Sequence, residues 1–168
     1  AHNLAYLGHC HRLRGDDDAA RADWTEAREL CGRVGNRGTA IHISIGLAEI
    51  AVDDHASEVA LLHTAEAVTL LSAGRAWTYE PWAWTVAMRA HASIGELGSA
   101  LACARRAVGG LASVPPGESV RLATELAGVA LRAGEVIPAA RLLGVACATD
   151  DIREPPFPSP NEHRRRAE

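Results

Sequence analysis

The sequence contains no lysine, because all 17 basic residues are arginine. A P-loop nucleotide hydrolase needs a lysine on the phosphates and Schiff-base chemistry needs a lysine amine, so both mechanisms are excluded for this chain. Aromatic residues make up only 4% of the chain, and alanine is abundant, which favours closely packed helices over sheets. The formal net charge of -4 argues against direct nucleic-acid binding, whose affinity comes from clustered positive charge.

Cysteine pairs and long apolar runs are also absent. The four cysteines form no C-x-x-C motif, so we expect reduced, partly buried thiols and no metal or other cofactor. No segment has the length and hydrophobicity of a signal peptide or a membrane span, which predicts a soluble, cytoplasmic protein without membrane contact. The 168 residues suffice for one domain with a substantial core, which we expect to be a fragment of a larger protein.

The first 32 residues place small and large apolar side chains at spacings that recur downstream. The pattern consists of Leu4-x-x-Leu7-Gly8-x-x-His11, then Gly15-Asp16, Ala20-x-x-x-Trp24, Ala27 and Gly32. It resembles the tetratricopeptide repeat, with substitutions at the aromatic and proline positions. Gly8 and Ala20 are predicted to let two antiparallel helices approach closely, while Leu4, Leu7 and Trp24 fill the seam between them.

Four such helical hairpins are predicted, over residues 1–35, 37–74, 79–113 and 117–151, with a short capping helix over about 159–168. The turn glycines Gly15, Gly95 and Gly134 indicate a period of about forty residues, longer than the usual 34. The second hairpin is the most diverged: if Ile45-Gly46 takes the Leu-Gly place, its turn needs about two inserted residues. The predicted fold is all-α, a right-handed α-α superhelix.

Four of the seven aromatic residues, Trp77, Tyr79, Trp82 and Trp84, fall within eight positions. Trp84 fits a core position of the repeat, and Trp77 with Tyr79 is predicted to attach the connecting segment to the second hairpin. Aromatic side chains also anchor interfaces, since they bury much area at little entropic cost. Trp82 is therefore the one predicted to contact a ligand.

In tetratricopeptide arrays the first helix of each hairpin lines the concave face. The resemblance then implies that this face carries His2, Ala5, His9, Arg12 and Leu13; Ile43, Leu47 and Ile50; Trp82, Thr85 and Arg89; and Arg121, Thr124, Leu131 and Arg132. Guanidinium groups bind carboxylates bidentately, so the arginines predict an acidic peptide or another anion as ligand. The alternative is that they are solvated and pair with Asp or Glu of the same chain. The candidate binding residues are His9, Arg12, Trp82, Arg89, Arg121 and Arg132.

No catalytic or metal site is predicted. His9, Cys10 and His11 are neighbours on a helix and diverge by roughly 100° each, so they cannot converge on one metal ion. The acidic runs near residue 16 and residue 150 lack the spacing of a calcium loop and instead suit turns and helix starts. No serine lies in a G-x-S-x-G motif. We therefore expect no enzymatic activity.

The segment from Ala139 to Ala146, followed by a proline-rich connector and a charged helix, resembles the C-terminal repeats of large actinobacterial regulators. These include antibiotic-regulatory proteins and large LuxR-type activators related to the maltose-regulon activator. The resemblance implies a sensor or scaffold module that binds a protein, a peptide or other domains of its parent regulator. Two alternatives stay open, self-association as a homodimer and binding of a small-molecule inducer.

Overall fold

The computed structural model describes residues 1–73, 79–110 and 116–150, apart from the side chains of residues 116–119, 121 and 145–150. These residues form helices and contain no strand, which confirms the predicted all-α class. The helices are α1 (His2–Leu13), α2 (Asp17–Val34), α3 (Arg37–Asp53), α4 (Ser57–Ser72), α5 (Glu80–Ser93), α6 (Leu97–Gly110), α7 (Pro116–Arg132) and α8 (Val136–Asp150). The predicted capping helix and Trp77 lie outside the described residues.

The helices pack in consecutive pairs. Each odd-numbered helix contacts the even-numbered helix that follows it, and α2, α4 and α6 also contact the next hairpin. The odd-numbered helices contact one another in succession, from α1 to α3, α5 and α7. They therefore form one continuous layer, and we call its outward surface the odd-helix face.

Local signals in the sequence explain where the helices begin and end. The carboxylate of Asp16 accepts a hydrogen bond from the Ala19 amide at 3.1 Å, and the amide oxygen of Asn36 accepts one from Thr39 at 3.2 Å. Both satisfy amides at a helix start that have no partner within the helix. Gly35 ends α2 at φ 69°, and Pro81 lies in the first turn of α5.

The turn inside each hairpin contains one residue with a left-handed backbone. These residues are Gly15, His55, Gly95 and Gly134, at intervals of 40, 40 and 39 positions. The second turn therefore contains no insertion, and the prediction of two extra residues there was wrong. Counted from the turns, Ala48 and not Gly46 corresponds to Gly8.

The contacts of Trp24 explain why the sequence contains a glycine at position 46 that does not correspond to Gly8. A β-carbon on Gly8 would lie 2.6 Å from the Trp24 ring, and one on Gly46 would lie 2.5 Å from its other end. The indole therefore spans from α1 of its own hairpin to α3 of the next, and its Nε1–H donates to the Ala5 carbonyl at 2.9 Å. Both glycines are needed because the ring occupies the space of two side chains.

The seam of the first hairpin also differs from the prediction in one residue. Ala20, Trp24 and Ala27 are fully buried, whereas Leu7 is 47% exposed. Leu7 corresponds to Leu47, which faces α2 of the preceding hairpin and is buried with Trp24. Leu7 has the same orientation, but the described residues place no helix over it.

Candidate functional site

The predicted binding residues lie on three of the odd-numbered helices. His9 and Arg12 belong to α1, Trp82 and Arg89 to α5, and Arg121 and Arg132 to α7. Arg12 and Arg89 are partly buried, and Arg132 is exposed. The side chain of Arg121 lies outside the described part of the chain. The structure brings Arg12 close to Arg89, and Arg89 close to Arg132, through two different features.

The first feature is a chain of ion pairs across four odd-numbered helices. Arg12 donates to both carboxylate oxygens of Asp17, at 2.8 and 3.0 Å, and also to Oδ2 of Asp53. Arg89 donates to Oδ1 of Asp53 at 2.6 Å, and its Nε lies 4.0 Å from Oε2 of Glu125. Asp53 on α3 therefore connects the arginines of α1 and α5.

These ion pairs change the electrostatics of the predicted site. Burial lowers the pKa of Arg12, but the hydrogen bonds to Asp17 and Asp53 outweigh this effect and the pKa is raised above its ordinary value. Arg12 and Arg89 thus already have acidic partners in the same chain. For these two residues the structure agrees with the alternative that the sequence left open.

The second feature is a cavity of about 470 Å³ where α3, α5 and α7 end. Arg89 and Arg132 line it together with Asp53, His55, Ser93 and the apolar side chains of Val52 and Ala92. No acidic side chain of the described residues forms a salt bridge with Arg132. Two guanidinium groups therefore face one cavity, and within the described part of the chain one of them, Arg132, forms no salt bridge.

The residues predicted for the second hairpin are buried and do not line this face. Ile43 and Ile50 have no exposed area, and Leu47 is only 8% exposed. These three side chains pack in one cluster with Trp24 and Cys31 of α2. The prediction was wrong because it aligned Gly46 with Gly8, a shift of two residues. With the register of the structure, α3 contributes His42, Glu49 and Asp53 instead.

His9 lies in a row of rings that the sequence did not indicate. Its ring centroid is 5.8 Å from that of His42, which lies 6.1 Å from that of Tyr79. Burial lowers the pKa of His42, and the nearby His9 and His2 lower it further. His42 is therefore favoured in its neutral form. By the register of the turns, the position of His42 corresponds to those of His2 and Trp82, a relation that the predicted alignment of Gly46 with Gly8 concealed.

The two tryptophans of α5, Trp82 and Trp84, are partly buried, and each packs on a core cluster. Trp82 is partly buried against the core cluster that contains Ile41, Ile45 and Val86. Trp84 packs on a second cluster, and the Arg106 guanidinium lies 4.5 Å from the centroid of its ring. Trp84 thus has the predicted core contact plus a cation–π contact. Tyr79 packs on the same cluster as Trp82, and its role in attaching the connecting segment stays a prediction, since residues 74–78 lie outside the described residues.

A second cavity, of about 360 Å³, lies between α2 and α4. Arg21, Arg28 and His63 line it, but Arg21 pairs with Asp54, and Glu66 lies 3.6 Å from Arg28 and 3.8 Å from His63. Burial and Arg28 lower the pKa of His63, and Glu66 opposes them. The basic groups of this cavity are therefore compensated, unlike Arg132.

The described residues contain no group of three or more His, Cys, Asp or Glu side chains suited to hold a metal ion. His9 faces His42, whereas Nδ1 of His11 lies 3.9 Å from Asp16 in the turn. Cys31 and Cys103 are buried free thiols, and burial raises the pKa of both. Cys10 is exposed.

The structure thus belongs to the all-α class with a helical-repeat-like arrangement of paired helices. None of the helices in the described ranges has the length and apolar character needed to cross a membrane. No protein-family model matches the chain, and no curated protein matches it either. The functional argument therefore rests on the odd-helix face itself.

Proposed function

We propose that this chain is a non-catalytic binding module with a tetratricopeptide-like superhelical fold, in which the odd-helix face is the concave recognition surface. Its partner would be a protein or peptide, and its setting the C-terminal sensor or scaffold region of a cytoplasmic bacterial transcriptional regulator. The resemblance of the last repeats to regulator sequences suggests that setting. The odd-helix face supports the binding role.

One observation carries the binding role. The Arg12–Asp53–Arg89 connection joins polar side chains from three successive hairpins on one surface. Side chains that are held in place before a ligand arrives lose less conformational freedom on binding, which favours affinity. These residues are also not needed to fill the core, whose buried side chains are mainly apolar ones such as alanine, isoleucine, leucine and valine, with Trp24 and Met88. A polar surface ordered in this way is suited to recognition.

The proposal can be tested with tryptophan fluorescence, since Trp82 and Trp84 are on the same helix as Arg89. The chain would be titrated with acidic peptides and with fractions of a bacterial extract. We expect a saturable change that is lost in Arg89→Gln and kept in the control Arg105→Gln, which removes an exposed arginine from α6. Equal behaviour of the two variants, or no saturable change with any fraction, would contradict the proposal.

Self-association is the second candidate, and the exposed side of α1 favours it. Tyr6 is 57% exposed and Leu7 47% exposed, whereas the corresponding Gly46 and Leu47 are buried against α2. An apolar helix face of this kind is commonly covered by another helix. Light scattering over a range of concentrations tests it. A dimer that Leu7→Glu abolishes and Leu62→Glu on α4 leaves intact would establish this candidate.

A further inference from the structure

We infer that His9 on α1 and His42 on α3 form a two-histidine binding site for a divalent transition metal ion such as Zn²⁺. The inference stands on the geometry of the two rings and does not depend on the proposed function. The described side chains contain no group of three His, Cys, Asp or Glu suited to one ion. The remaining coordination positions of the ion are therefore open to water or to a ligand on the odd-helix face.

The two imidazole rings lie at a separation that one metal ion can bridge. Their centroids are 5.8 Å apart, and their planes are inclined by 50°. A zinc ion bound to one nitrogen of each ring, at about 2.0–2.1 Å, sets the centroids about 5–6.5 Å apart, according to the angle at the metal. His9 and His11 diverge on their own helix, but His9 lies beside a histidine of the next hairpin.

The nitrogens of both rings are available to a metal ion. The histidine ion pairs and hydrogen bonds of the described residues involve other rings, those of His11, His63 and His91. A metal binds the neutral form of imidazole. Burial and the nearby His9 and His2 lower the pKa of His42, which keeps its ring neutral near pH 7.

The charges around the pair are compatible with a dication. Arg12 follows His9 by about one turn of α1, and its charge is compensated by Asp17 and Asp53. On α3, Glu49 occupies the position that corresponds to His9, so it adds an acidic side chain to the same face. Arg12 therefore contributes little repulsion to an incoming cation.

The histidine pair occurs at only one of the three intervals between successive odd-numbered helices. By the register of the turns, the equivalent pairs are Glu49 with Trp82 and Arg89 with Arg121. The repeat therefore does not require imidazoles at these two positions for its packing. Imidazole is a ligand that Zn²⁺, Ni²⁺ and Cu²⁺ prefer, so the first interval has a chemistry that the other two lack.

The experiment follows the ring C–H signals of the histidines by NMR while Zn²⁺ is added above the ordinary histidine pKa of about 6.5. Thiolates also bind zinc, so the exposed Cys10, together with Cys147, is replaced by serine in the chain used. We expect saturable changes at His9 and His42 with one midpoint, and none with Mg²⁺, which prefers oxygen ligands. At lower pH, protonation of the imidazoles should weaken binding.

The matched variants are His9→Gln, His42→Gln and the control His91→Gln on α5, whose ring pairs with Glu96 at 2.7 Å. Each of the first two should weaken zinc binding about tenfold or more, since loss of an outer-sphere partner alone costs about 10–100-fold. The control should bind as the parent does. Equal weakening in His91→Gln, similar changes at all histidines, or no saturable change at His9 and His42 would each overturn the inference.

Thermal unfolding provides a second measurement. A zinc ion on His9 and His42 joins the first hairpin to the second, so it binds the folded chain and should raise the midpoint of unfolding. The rise should persist in His91→Gln and be lost in His9→Gln, which replaces a partly exposed ring and keeps the test valid if His42→Gln does not fold. Circular dichroism verifies the fold of each variant. A rise of equal size in all variants would refute the site.

Discussion

The indole ring of Trp24 on α2 lies so close to Gly46 on α3 that a β-carbon at Gly46 would fall 2.5 Å from the ring. This contact joins the first hairpin to the second. It has the same character as the contact of the ring with Gly8 inside its own hairpin. Trp24 and the two glycines therefore contribute to the packing of the second hairpin on the first.

Substitution of Gly46 by alanine tests this contact. The added methyl group must displace a buried ring that is only 1% exposed, so we expect a loss of about 1–3 kcal/mol in the free energy of unfolding. The control is Gly32→Ala in α2, where nothing lies within 4 Å of the added β-carbon. Its higher helix propensity should stabilise the chain by about 0.5–1 kcal/mol. Urea unfolding measures both, and equal effects would contradict the contact.

Replacement of Asp53 by asparagine removes the charge that joins Arg12 and Arg89. These side chains are 25% and 26% exposed, so their ion pairs are partly shielded from water. We expect a loss of about 1 kcal/mol at low ionic strength that becomes smaller in 1 M salt. Asp18→Asn is the control, because its fully exposed carboxylate approaches only Arg21, at 3.7 Å. A loss in Asp53→Asn that is independent of salt would argue against an electrostatic origin.

The stability of the chain should decrease as the pH falls from 7 to 5.5. Burial lowers the pKa of His42 and of His63 in the folded state, so the unfolded chain takes up protons more readily. Stability is therefore greatest above the unfolded histidine pKa of about 6.5 and is lost below it, by up to about 1.4 kcal/mol per pH unit for each residue.

Variants assign this pH dependence to the two histidines. His42→Gln and His63→Gln should each reduce the slope of unfolding free energy against pH, and the double variant should reduce it most. The carboxylates of Asp and Glu titrate at lower pH and contribute little in this window. Thermal unfolding at several pH values gives the slopes. A double variant with the slope of the parent chain would show that neither residue is responsible.

Thiol reactivity provides a test of the packing in two hairpins. In a Cys147→Ser background, the exposed Cys10 should react with an aromatic disulfide reagent much faster than the other two cysteines. Cys31 and Cys103 are 2% and 8% exposed, and burial raises the pKa of both thiols, so they should react only after unfolding. Reaction of all three at one rate in native conditions would contradict the packing. All three should react rapidly in denaturant.

The sequence predicted much of the fold through signals that act over short distances. The turns at Gly15, Gly95 and Gly134 and the capping carboxylate of Asp16 follow from backbone preferences of individual residues. The second turn was assigned two inserted residues that it does not have, and its left-handed residue is His55, where the other three turns have glycine. With no glycine to mark that turn, the nearby Gly46 was assigned to the wrong repeat position.

The candidate site depended on contacts that no local pattern encodes. Arg12 and Asp53 are 41 positions apart, and Arg89 and Asp53 are 36 apart, so nothing in the sequence pairs them. The sequence therefore determined that arginines lie on the odd-numbered helices, and that the chain is helical. Only the tertiary structure decided that Asp53 compensates two of them while Arg132 faces a cavity, because ion pairing depends on which helices become neighbours when the hairpins stack.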